Sequence, residues 1–202
     1  MSADTKFHVH HDSPEKIGRR ERLGVRLLIV ADGAFVFGMI FSYFYLRNLN
    51  VNNGWIPEGG HTFSASSGWV VVIPFIFAAL MHRLAVRSGA SFKNLSLLTL
   101  IVLVVGIVLQ WKQISTMPFQ VEGEEGMVFG YEGSYSSSWV LIAGANMFHY
   151  IITIFLALGL FIRARRAEVD PVLEKWRMAT ATSWFTWVAI SGIACAITTS
   201  FI

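Results

Sequence analysis

Hydrophobic residues gather in five long runs along this chain, and most polar residues lie between them. The runs cover residues 27–46, 68–86, 95–111, 138–162 and 178–202. A helix needs about 20 mostly apolar residues to cross a hydrocarbon core about 30 Å thick. The pattern therefore predicts an all-α membrane protein with five transmembrane helices. Residues 1–20 are polar and are expected to form a mobile tail, with residues 21–202 as a single domain.

Positive charge alternates between the segments that connect the runs. It clusters before the first run, between the second and third, and between the fourth and fifth. Because basic residues accumulate in cytoplasmic loops, this distribution predicts a cytoplasmic N-terminus and an external C-terminus. The basic residues are Arg19, Arg20, Arg22, Arg26, Arg83, Arg87, Lys93, Arg163, Arg165, Arg166, Lys175 and Arg177.

The composition agrees with a membrane protein and argues against other classes. Charged residues make up 14% of the 202 residues, against about a quarter in an average soluble domain. The sequence pI of about 9.2 arises from the cytoplasmic loops, which indicates contact with anionic lipid and not with nucleic acid. Cys195 is the single cysteine, so the chain cannot form an internal disulfide.

Two ionisable residues lie well inside the predicted helices, Asp32 in the first and His149 in the fourth. A carboxylate there costs roughly 2.5–3.5 kcal/mol on insertion scales, so Asp32 needs a partner, a proton or a polar path. Two interpretations stay open for Asp32: a hydrogen bond to a neighbouring helix, or a role in handling lipid or protons. In both cases we expect Asp32 to face an interior cleft. His149 is open to either a packing role or a functional one.

Candidate metal ligands are few. His8, His10 and His11 lie in the polar tail, His61 lies in an outer loop, and His82 is expected at the membrane interface. Haem held between helices usually needs a histidine from more than one of them. We therefore predict that the chain itself carries no metal or redox centre, and nothing in the sequence indicates a nucleophile–base set or a phosphate-binding loop.

Small residues recur every four positions in two of the runs, which lets helix backbones approach closely. Both small-residue faces are therefore expected to pack against protein. Asp32 precedes Ala34 by two positions, about 200° round the helix, so it should face a different neighbour. The two faces consist of Ala34, Gly38 and Ser42, and of Gly192, Ala196 and Ser200.

Two segments carry a resemblance to subunit III of the haem–copper oxidases. Residues 26–37, RLLIVADGAFVF, match the family's L-R-x-G-x-x-L-F-x-x-S-E-x-x-F-F, with Asp32 at the position of its membrane-buried glutamate. Residues 133–149, GSYSSSWVLIAGANMFH, resemble a second motif at the start of a late helix. The matching positions are Arg26, Gly133, Tyr135, Ser137, Gly144 and His149; Asn146 stands where the family often has a histidine, and residues 184–191 lack the histidine and aspartate usual there.

The resemblance implies the family's five-helix form, a V-shaped bundle whose cleft binds phospholipid, with Asp32 in the cleft and the first two helices forming one arm. It implies an accessory, metal-free subunit of a proton-pumping terminal oxidase that reduces oxygen to water. Haem and copper would lie in catalytic subunit I, and subunit II and other respiratory-complex subunits would be further partners. The expected location is the inner membrane of a bacterial cell. The electron donor would be cytochrome c or quinol.

Two alternatives stay open. The same fold occurs in an accessory membrane protein of nitric oxide reductase systems. A small proton-linked transporter that uses Asp32 is less favoured, because transporters commonly contain repeats and broken helices. Five helices cannot divide into equal repeats, and Pro74 is the single proline inside a predicted span.

Overall fold

The computed structural model describes residues 12–88, 92–118, 120–122, 128–166 and 170–202. Its five helices are each long and apolar enough to cross a membrane, which confirms the predicted all-α membrane fold. They are α1 Pro14–Leu49, α2 Ser67–Ser88, α3 Phe92–Ser115, α4 Ser134–Arg163 and α5 Pro171–Thr199. A short antiparallel hairpin, β1 Gln120–Glu122 with β2 Val128–Tyr131, lies between α3 and α4 and was not expected from the sequence.

The first helix begins earlier than its apolar run. Ser13 caps α1 by accepting a hydrogen bond from the amide of Lys16, and Pro14 occupies the first turn, where its missing N–H costs nothing. Residues 14–20, which the sequence assigned to a mobile tail, are therefore helical. Gly18 in this extension lies so close to Trp176 of α5 that a Cβ would overlap the indole ring. Residues 1–11, including the histidine cluster, lie outside the described residues.

Helix α5 holds the bundle together. It packs against α1 and α2, and α3 bridges α2 and α4, while α4 also contacts α1. Within the described residues the backbones of α1 and α2 do not approach each other closely, and α1 packs on α4 and α5. At the α3–α4 crossing, Gly106 leaves room for the Tyr150 ring, which stacks on Phe75 with centroids 3.9 Å apart and donates its hydroxyl to the carbonyl of Val71.

The two small-residue faces have different surroundings. On α5, Gly192 lies against Val72, and Ala196 lies against Gly68 of α2, as the spacing predicted. On α1, Ala34 and Ser42 are exposed and nothing lies within 4 Å of where a Gly38 Cβ would be. Among the described residues nothing packs closely against that face. The reason is that α1 buries its neighbouring face instead, made of Val36, Met39 and Tyr43.

The second motif segment packs the start of α4 against the loop between α1 and α2. Gly133 adopts φ +115°, and a Cβ there would lie 2.8 Å from the carbonyl oxygen of Gly54, so only glycine fits. The amides of Ser134 and Tyr135 donate to the carbonyls of Gly54 and Trp55. This part of the motif therefore positions the start of α4 and lies apart from Asp32.

Candidate functional site

Asp32 and His149, which are 117 positions apart, meet inside the bundle. Nε2 of His149 on α4 lies 2.9 and 3.0 Å from the two carboxylate oxygens of Asp32 on α1. The histidine side chain is 2% exposed and the aspartate side chain 11% exposed. Asp32 thus faces the interior, and a neighbouring helix supplies the partner that its burial requires.

Trp187 of α5 is a third member of the site, and sequence reasoning missed it. Its indole N–H donates to Oδ2 of Asp32 at 2.5 Å. Gly33 next to Asp32 lies against the ring, since a Cβ there would be in van der Waals contact with Trp187 at 3.4 Å. In the comparison with the family, residues 184–191 of the last helix stood out only for their lack of a histidine and an aspartate. The available signal was a tryptophan in the middle of a span, because interfacial tryptophans lie near helix ends.

The Asp32 carboxylate is held from two helices. Nε2 of His149 on α4 and the indole N–H of Trp187 on α5 both lie within hydrogen-bond distance of its oxygens. A buried polar group needs such partners, because water cannot take their place. Nδ1 of His149 is buried and has no hydrogen-bond partner within the described residues.

A groove of about 460 Å³ lies between α1, α4 and α5, within one helical turn of this site. Its lining continues as Leu28 on α1, Ile152 on α4 and Trp184 on α5, and Asp32, His149 and Trp187 follow at the next helical turn. The ring centroids of Trp184 and His149 are 6.3 Å apart. The lining residues are Glu21, Gly24, Val25, Leu28, Ile152, Phe155, Leu156, Arg163, Arg177, Thr180, Ala181 and Trp184.

The other end of the α1–α4–α5 groove carries balanced charge. Arg177 contacts Glu21 at 3.1 Å across the α1–α5 boundary, and Arg163 contacts Glu174 at 3.6 Å. The two arginines are thus matched by two carboxylates. Apart from these charged residues the groove wall is almost entirely apolar.

The remaining predicted site residues do not join this site. Arg26 is exposed and does not line the groove. Ser137 donates its hydroxyl to the carbonyl of Gly133 in the first turn of α4, 3.0 Å away. Tyr135 is buried, and its hydroxyl accepts a hydrogen bond from the amide of Phe63. Gly144 is exposed on α4 with nothing within 4 Å of its Cβ position.

His82, which the sequence places at the membrane interface, is a second buried histidine. It is 3% exposed and stacks on Phe185 with centroids 4.7 Å apart. Its Nε2 lies 3.1 Å from the hydroxyl of Thr182. Its position next to Arg83 gave no sign of this burial, which arises because α2 packs against α5 at His82. The described residues contain no group of three histidine, cysteine or acidic side chains placed to hold a metal ion.

Neither the family models nor the curated proteins include a match to this chain.

Proposed function

We propose that this chain is the accessory, metal-free subunit III of a proton-pumping respiratory terminal oxidase, in its five-helix form. The observation that carries the proposal is the contact between Asp32 and His149. The two motifs that resemble the family contribute these residues separately, one from each motif, and the helices bring them to one point. Their contact supports the proposal that both motif positions serve one site.

The groove supports the lipid-binding part of the proposal. A phospholipid combines a polar headgroup with apolar chains, and the α1–α4–α5 groove has the same order of polarity from its mouth inward. The headgroup would lie at Glu21, Arg177 and Arg163, with an acyl chain along Leu28 and Phe155. In the proposed orientation this mouth faces the cytoplasm, because it is the end rich in arginine.

In the complex, this chain's residues would hold lipid and shape the protein around proton uptake, while haem and copper would be held by the catalytic subunit. Asp32 and His149 would form a polar contact one helical turn beyond the apolar wall of the groove. Trp187 would keep the carboxylate in place. Subunit II and further respiratory subunits are expected partners, in the inner membrane of a bacterium.

Purification through a C-terminal affinity tag from the native membrane tests the proposal. We expect a haem- and copper-containing oxidase to copurify, recognised by its visible spectrum, metal content and oxygen consumption. Copurification of a nitric oxide reductase would favour the alternative accessory role. Recovery of the chain without any metalloenzyme would contradict both, and proton flux through the chain alone in liposomes would favour a transporter.

Asp32→Ala tests the site within that complex. We expect the complex to assemble, with either a shorter catalytic lifetime during turnover or slower proton uptake. Asp170→Asn is the control. Like Asp32→Ala it removes a carboxylate, but Asp170 is exposed and the asparagine keeps an oxygen that can cap α5. If oxygen reduction, proton pumping and lifetime were all unchanged in Asp32→Ala, Asp32 would have a structural role alone.

A further inference from the structure

A second groove lies on the other side of the α1–α5 contact, and its charge is not balanced. This basic groove, lined by Arg22, Pro171, Val172, Lys175, Trp176 and Ala179, has a volume of about 440 Å³. It contains two cationic side chains and no carboxylate. The α1–α4–α5 groove, by contrast, pairs each of its arginines with a glutamate.

Arg22 is held in place without an acidic partner. Its guanidinium lies 5.7 Å from the centre of the Trp176 ring, within the range of a cation–π contact. Its Nε is buried and has no hydrogen-bond partner within the described residues. Because Arg22 forms no ion pair in the described part of the chain, its positive charge is not neutralised by a carboxylate.

Lys175 provides a second cation from the first turns of α5. It is exposed and forms no ion pair in the described part of the chain. The amides of Val172 and Leu173 already donate to the capping carboxylate of Asp170. The helix end is therefore satisfied, and attraction for an anion comes from the Arg22 and Lys175 side chains.

The shape of the basic groove fits a lipid better than a free ion. Below the two cations its wall consists of Val172, Trp176 and Ala179. Trp176 marks the level of the membrane interface, and an acyl chain could lie along the apolar wall. Basic pockets between transmembrane helices at the cytoplasmic side are suited to anionic headgroups.

We propose that the basic groove binds an anionic phospholipid, with the headgroup phosphate on Arg22 and Lys175 and an acyl chain against Trp176. The inference does not depend on the proposed oxidase role, since it rests on the charges and contacts of this chain alone. It distinguishes this groove from the α1–α4–α5 groove, where balanced charge gives no preference for an anionic headgroup.

Lipid titration of the purified full chain, followed by native mass spectrometry, tests this site. We expect phosphatidylglycerol to bind more tightly than phosphatidylcholine. Arg22→Gln with Lys175→Gln should weaken phosphatidylglycerol binding about thirtyfold, the fold-change that corresponds to about 1 kcal/mol for each basic residue. Arg19→Gln with Arg87→Gln removes the same charge from exposed positions outside both grooves and should change binding less than threefold.

Lys175→Gln alone is a second test in case the Arg22 variant misfolds, because Lys175 is exposed and its replacement should not disturb the fold. We expect it to weaken phosphatidylglycerol binding fivefold, which corresponds to about 1 kcal/mol. Equal binding of the two lipids, or equal losses in the groove and control variants, would overturn the proposal. Inorganic phosphate is the remaining arm. If phosphate alone displaced phosphatidylglycerol at millimolar concentration, the site would bind a free anion and the lipid assignment would be wrong.

Discussion

Replacing Asp32 by alanine removes an acceptor that two donors share, Nε2 of His149 and the indole N–H of Trp187. Hydrogen bonds between transmembrane helices contribute about 0.6 kcal/mol on average and up to about 1.7 kcal/mol. Two of them predict a loss of about 1–3 kcal/mol in the free energy of unfolding. His149 is 2% exposed, so water cannot replace the lost acceptor, and this favours the upper part of the range.

A double-mutant cycle isolates the contact with Trp187. Asp32→Ala, Trp187→Phe and the double variant would be unfolded in mixed micelles by titration with SDS and followed by far-ultraviolet circular dichroism. We expect a coupling energy of about 0.6–1.7 kcal/mol. Trp111→Phe is the matched control, because Trp111 is 67% exposed on α3 and should show no coupling to Asp32.

Additivity would refute this reasoning. If the losses for Asp32→Ala and Trp187→Phe summed within about 0.3–0.5 kcal/mol, the hydrogen bond between them would contribute nothing measurable. Asp32→Asn provides an independent check, since the carboxamide oxygen can still accept from the indole while the charge is removed. We expect Asp32→Asn to destabilise the chain less than Asp32→Ala does.

Two further changes test other parts of the structure. Gly106→Ala should lower the free energy of unfolding by about 1–3 kcal/mol, because the new methyl would overlap Tyr150. Gly144→Ala is the control: its methyl has open space, so the free energy of unfolding should stay unchanged or rise by up to about 1 kcal/mol. Equal effects of the two changes in the same SDS titration would contradict the α3–α4 packing. In the outer loops, the His61 amide and ring hold the pKa of Glu132 below its usual 4.5, so this contact should be complete above pH 4.5 and lost as pH falls through the lowered pKa. The amide NMR shift of His61 should follow that titration and should be insensitive to pH over the same range in Glu132→Gln; a midpoint above 4.5 would contradict the assignment.

The number of helices was predictable because one simple requirement governs it: a span must be long and apolar. The start of α1 was missed for the same reason, since hydropathy does not register the helical signal of residues 13–16. There, Ser13 is a capping residue and Pro14 suits the first turn. The helix continues into polar sequence because Gly18 and Glu21 find partners on α5, which no local pattern reveals.

The need of Asp32 for a polar partner was predictable, but the partner was not. The cost of a carboxylate within a span is local, whereas the choice of His149 depends on how α1 and α4 cross. Trp187 was missed because its indole N–H is a polar group on an otherwise apolar side chain. The environment of His82 was also misjudged, since burial against Phe185 depends on the packing of α2 on α5.

Asp32 is the middle one of three polar contacts that join α1 to α5 and to the residues just after it. Glu21, Asp32 and Tyr43 follow one another at intervals of eleven residues and contact Arg177, Trp187 and the carbonyl of Phe201, respectively. Eleven residues make about three helical turns, so the three side chains lie on one face of α1. Their partners follow in the same order along the chain, with Arg177 and Trp187 on α5 and Phe201 just beyond its end, so the two helices are parallel. Asp32→Ala removes one contact and leaves the contacts above and below it, which is why we expect the variant to assemble while the chemistry at the end of the groove changes.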